Sequence, residues 1–193
     1  MMKNFSKLIN SSEFRRSVIL KEMAELDKKK TNCFDCSGPC CTYQKNSMRV
    51  TVIEAIDLYR HLKNNNQWSD SLVERLKSNI KEFRLDSHLM LGTRNTFRRT
   101  YTCPFFKHES LGCPIPTDKK PYGCLAFNPT HVDSKEGVGC ESNQQTLLHR
   151  ENLYSNELVD NRELKKLLNL TWDKESIPVA LLDIDLTYEA VFG

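Results

Sequence analysis

The sequence predicts a mainly α fold, a small single domain of helices around an irregular cysteine-rich core. Three observations predict it: apolar residues recur at helical spacing on both sides of the chain's middle; that middle is broken by prolines; and eight cysteines fall within it. Four of the eight lie in one run, Cys33-Phe34-Asp35-Cys36-Ser37-Gly38-Pro39-Cys40-Cys41, and Cys103, Cys113, Cys124 and Cys140 follow. A soft thiolate set suits zinc or an iron-sulfur cluster, not calcium or magnesium, so the expected core binds metal.

Taken in order, Phe14, Val18, Met23 and Leu26 trace a helical stripe from Ser12 to about Lys30 that delivers the chain to the first cysteine run. Thr51-Val52-Ile53-Glu54 reads as a capping box, and Ile53, Ile56, Tyr59 and Leu62 form one helical face before Asn64-Asn65-Asn66. Ser71-Leu72-Val73-Glu74 repeats the signal ahead of Leu72, Leu76, Ile80 and Phe83, so residues 52–84 read as an antiparallel helix pair.

From Arg98 to Phe106, Thr100, Tyr101, Thr102, Phe105 and Phe106 favour extended backbone, and Leu111-Gly112 supplies a turn. Pro104, Pro114, Pro116, Pro121 and Pro129 exclude a continuous helix, because each removes a donor and restricts its predecessor. Helix returns from about Ser142, with Leu147, Leu148, Leu153 and Leu158, and again near Arg162 to Leu168. Residues 177–186 fit a strand or a packed tail equally well. The domain reading is therefore one unit over 1–193, with a cysteine region at 30–141 and a helical extension at 142–193.

A chain of 193 residues buries roughly 70% of its extended surface, enough for a core that does not depend on metal alone. No apolar stretch has the length of a membrane span, and the first residues lack the apolar core of a secretory signal, so a cytoplasmic protein without a membrane partner is expected. In a reducing compartment the cysteines read as thiolate ligands, not disulfides. The net charge of +3, from 28 basic and 25 acidic residues, gives no nucleic-acid footprint, and Arg94, Arg98 and Arg99 read as a solvated patch.

Cys33 and Cys36 have the two-residue spacing that turns both sulfurs toward one ion. Gly38 and Pro39 allow the turn that Cys40 and Cys41 need to converge. Eight thiolates divide into two four-sulfur zinc sites, one four-iron cluster with spare thiols, or two clusters. The excess over one zinc shell favours the iron-sulfur cluster, with zinc as the alternative.

These motifs resemble the bacterial and archaeal CxxCxxxCC cysteine-cluster family of zinc- or iron-chelating domains. Cys33, Cys36, Cys40 and Cys41 carry the signature, followed by Cys103-Pro104-Phe105, Gly112-Cys113-Pro114-Ile115 and Lys120-Pro121-Tyr122-Gly123-Cys124, with Cys140 completing the set. The resemblance implies metal chelation by these eight residues in a bacterial protein of unassigned reaction. Lys120 and Leu125 stand where the family has arginine, and lysine does not reproduce the arginine fork.

Two functions follow as expectations. One is a metal- or cluster-binding protein of structural or redox role, with a protein partner. The other is a cluster-containing enzyme of group transfer or redox, with Tyr43, His108, Tyr122 or His131 near the cluster, although each of these also reads as an ordinary packing or loop residue.

Overall fold

The structure, a computed structural model, describes residues 38–87, 99–108, 113–126 and 157–192, the short pairs 90–91, 95–96, 128–129 and 140–141, and parts of 16–28. The organising feature is a two-stranded antiparallel ribbon that launches two helices. Strand β1 (Arg49–Thr51) pairs with the strand Lys174–Ser176, Val50 lying opposite Glu175. Each strand runs directly into a helix, α1 (Val52–Asn64) and the C-terminal Ile177–Phe192.

Helix α1 begins as its sequence predicts. The Thr51 hydroxyl accepts the Glu54 N–H while the Glu54 carboxylate accepts the Thr51 N–H at 2.8 Å. Because this helix is central, Val52, Ile53, Ala55, Ile56, Leu58, Tyr59 and Leu62 are all buried, on more than one face. Helix α2 (Asp70–Phe83) is amphipathic and buries Leu72 and Leu76. Its N-cap is Ser69, whose hydroxyl accepts the Leu72 N–H, two residues before the predicted start at Ser71. The third residue of the helix is then Leu72, so no carboxylate closes a box, and Glu74 pairs with Lys77 on the surface instead.

A five-residue helix, α3 (Tyr122–Ala126), follows Pro121. Two short ribbons, β2 (Met90–Leu91) with β3 (Asn95–Thr96) and β4 (Asn128–Pro129) with β5 (Cys140–Glu141), lie between the larger elements. Helix α4 (Leu158–Leu167) covers α1 and lends it the Asn161 side-chain oxygen, which accepts the Ile53 N–H at 3.1 Å. The Lys174–Ser176 strand is β6 and the final helix is α5.

Residues 177–186, open between strand and tail in the sequence, are the first turns of α5. Pro178 is tolerated there because the N–H groups of a first turn have no helical partner to lose. Both α1 and α2 pack against α5, so the expected helix pair is a three-helix arrangement with Ile177, Ala180, Leu181 and Ile184 in its core. The described residues between 16 and 28 are helical, as predicted, and Arg16 fastens them to α1 through a 2.5 Å ion pair with Asp57. The helix expected over 142–156 lies outside the described residues.

The architecture is mainly helical, but the expected metal-binding core is not what organises it. Among the described residues no group of three or more His, Cys, Asp or Glu side chains is placed to hold a metal ion. The proline-broken segments are anchored by packing and hydrogen bonds instead. Phe105 and Ile115 enter the same apolar core as α1. Asn46 donates to the Tyr101 carbonyl, and the buried Tyr101 hydroxyl donates to Met48 O at 2.7 Å while accepting the Ile177 N–H at 3.1 Å. Residues 99–106 form no strand: the Tyr101 and Cys103 amides reach Asn46 O and Cys41 O singly, and Pro104-Phe105 make a turn closed by the Phe106 N–H on Cys103 O.

Candidate thiol site

The local chemistry starts at Gly38. Its φ of +74° is left-handed backbone, and a Cβ there would meet the Phe106 ring at 3.2 Å, so both conformation and space call for glycine. The chain then makes one 3-10 turn, Pro39–Cys41, closed by the Cys41 N–H on Gly38 O at 2.8 Å. This turn carries Cys40 and Cys41 as adjacent thiols. The Cys103 N–H donates to Cys41 O at 2.7 Å, so the second cysteine segment lies against the first. Cys124 sits on α3, and Cys103 and Cys113 pack at the edge of the apolar core.

The five cysteines whose side chains are described, Cys40, Cys41, Cys103, Cys113 and Cys124, are free thiols and partly exposed. The hydrogen bond to Cys41 is the main cause that holds the Cys40 thiol protonated, with burial adding to it. Burial pushes Cys103 up to about 12, with Cys113 and Cys40 contributing. Burial likewise raises Cys124, reinforced by Cys103, Cys113 and the Glu54 carboxylate. The sulfurs thus feel one another across three segments, yet among the described residues no three ligand side chains form a metal-holding group.

That finding corrects several expectations together. The iron-sulfur cluster, the zinc alternative, the metal- or cluster-binding function and the resemblance to the CxxCxxxCC chelating family are not supported. Sequence spacing brings Cys40 next to Cys41, but it does not make separated loops converge on one point. Cys33 and Cys36 lie outside the described residues, and Cys140 is placed only by its backbone, opposite Pro129. No known protein family, curated protein or solved structure matches this chain. Among the described residues no helix is long and apolar enough to cross a membrane.

The residues offered as catalytic candidates take ordinary roles. Tyr122 is 2% exposed, its N–H donating to Glu54 at 2.7 Å and its hydroxyl to Glu157 at 3.2 Å. Tyr43 is exposed and stacks near Phe83, His108 sits edge-on to Phe106, and His131 lies outside the described residues. Sequence reasoning missed Glu54 as a tertiary node. The capping pattern accounts for one carboxylate oxygen, and nothing in the sequence links the other to Tyr122, 68 positions away.

The raised thiols make the fold sensitive to alkali. Cys103 ionises near 9.0 when unperturbed and near 12 in the fold, so between those values the unfolded chain binds fewer protons than the native one. Its contribution to stability is complete below 9.0 and is lost as pH rises toward 12. Urea midpoints should therefore fall across this window, and Cys103→Ala should flatten the fall. An unchanged slope in that variant would refute the assignment.

Proposed function

We propose that the protein acts through thiol–disulfide exchange at the Cys40–Cys41 pair. The carrying observation is the pair of adjacent, partly exposed free thiols on the single tight turn Pro39–Cys41. Exchange needs two sulfurs, whereas a metal centre needs three or four protein ligands around one point. Neighbouring Cα atoms are about 3.8 Å apart, short of the roughly 4.4–6.8 Å spanned by ordinary disulfides. A Cys40–Cys41 disulfide is consequently strained and readily reduced, which suits exchange and not structural bracing.

One thiol of the pair attacks first. Its sulfur displaces one thiolate from an external disulfide, leaving a mixed disulfide. The neighbouring thiol then gives up its proton and displaces the second thiolate. Two protein thiols and one disulfide become one protein disulfide and two free thiols, so electrons and protons balance. The co-reactant is a small-molecule disulfide or the disulfide of a protein partner. Neither nucleic acid nor membrane enters this reading.

Oxidised glutathione tests it. The natural chain is expected to lose about 2 Da for the new disulfide, located at Cys40–Cys41 by fragment-ion mass spectrometry. Either single variant, Cys40→Ser or Cys41→Ser, is expected to stop with one glutathionyl group on the remaining cysteine of the pair. Free Cys40 and Cys41 in the natural chain after equilibration, or a stable glutathionyl group on either one in place of the disulfide, would overturn the reading.

A further inference from the structure

A second constellation lies at the other end of α1, built from residues that the thiol site does not use. Asn66 adopts left-handed backbone, with φ of 55°, and the chain folds back so that the Gln67 and Trp68 amides both donate to Leu62 O. This return brings Trp68 edge-on to Tyr59, their ring centres 4.8 Å apart, and Tyr188 of α5 adjoins Tyr59 at 5.4 Å. The Lys63 ammonium rests over the Tyr59 ring at 5.3 Å and the Trp68 ring at 5.9 Å. Two carboxylates of α5, Asp185 at 3.6 Å and Glu189 at 3.9 Å, complete its surroundings.

The distances distinguish this seat from an ordinary lysine ion pair. A primary ammonium satisfies its three donors at about 2.7–2.9 Å from carboxylate oxygen, and both carboxylates lie well beyond that. Asp185 Oδ1 is instead engaged by the Tyr59 hydroxyl at 2.8 Å. Lys63 thus rests against two ring faces with two carboxylates within 4 Å, one of them already bonded to Tyr59. Those are the elements that recognise a cation without N–H donors. The Lys63 side chain is 38% exposed and covers Tyr59, which is itself 1% exposed.

We propose that Tyr59, Trp68, Asp185 and Glu189, with Tyr188 beside them, form a binding site for a quaternary, methylated ammonium group, and that Lys63 is its built-in competitor. The lysine occupies the seat when no such ligand is present, and the ligand must displace it. Removing the Lys63 side chain therefore strengthens binding without altering the cage. The site is independent of the thiol reading and shares no residue with it.

Choline is the probe, compared with its carbon isostere in which a tert-butyl group replaces the trimethylammonium group. Proton NMR follows the ligand methyl signals, which move upfield over aromatic faces. Saturable binding of choline is expected, about tenfold tighter to Lys63→Ala than to the natural chain, with the neutral isostere much weaker. Trp68→Leu combined with Lys63→Ala is expected to abolish the shift, circular dichroism confirming that both variants remain helical. If Lys63→Ala binds choline no more tightly than the natural chain, or if the isostere binds as well as choline, the proposal is overturned. Should the double variant unfold, the choline-to-isostere ratio measured on Lys63→Ala alone still decides.

Discussion

Replacing Leu181 by alanine is expected to destabilise the protein by about 2–5 kcal/mol, measured from the denaturant midpoint. Leu181 is fully buried on α5, in the cluster that α1, α2 and α5 share. Its removal takes apolar surface out of the core and leaves a cavity that three packed helices relax into only partly. The effect should exceed that of Leu186→Ala on the same helix, because Leu186 is 79% exposed. Equal losses at the two positions would mean that α5 is not the central packing partner of α1 and α2.

Glu54→Ala is expected to cost a similar amount, about 2–5 kcal/mol, although it removes a polar side chain. One carboxylate oxygen accepts the Thr51 N–H at 2.8 Å and the other the Tyr122 N–H at 2.7 Å, and Glu54 is 5% exposed. Truncation leaves two backbone donors in a region that water does not reach freely, and each unmade bond carries a desolvation penalty. Glu54→Gln retains one acceptor oxygen and should lose about half as much by the same reasoning. A loss no larger in Glu54→Ala than in Glu54→Gln would show that one of the two bonds contributes nothing.

Glu54 also illustrates how far the sequence could be read. The pattern Thr51-Val52-Ile53-Glu54 locates the start of α1 because a capping box is closed by residues three apart, a distance the local chain sets by itself. The face of α2 was legible for the same reason, since Leu72 and Leu76 recur at helical spacing. Its start was misplaced by two residues because Ser69 and Ser71 offer equivalent hydroxyls, and the backbone conformation at Ser69 decides between them. Residues 177–186 resisted assignment since a helix buried on most sides loses the alternation that separates helix from strand.

The cysteines mark the sharper boundary. Their number and order are written in the chain, and so is the adjacency that lets Cys40 and Cys41 bond to each other. Their joint use as metal ligands was an extrapolation from spacing, and the described residues do not bear it out. Local features, the α1 cap, the Gly38 turn, the proline-broken middle and the helical stripes, were determined by the sequence alone, because each depends on interactions within a few residues. The position of α5 between α1 and α2, the second bond of Glu54 and the ring of groups around Lys63 were decided only by the tertiary structure. Each joins segments far apart in the chain, and which distant surfaces meet depends on the packing of the whole core, which no local pattern encodes.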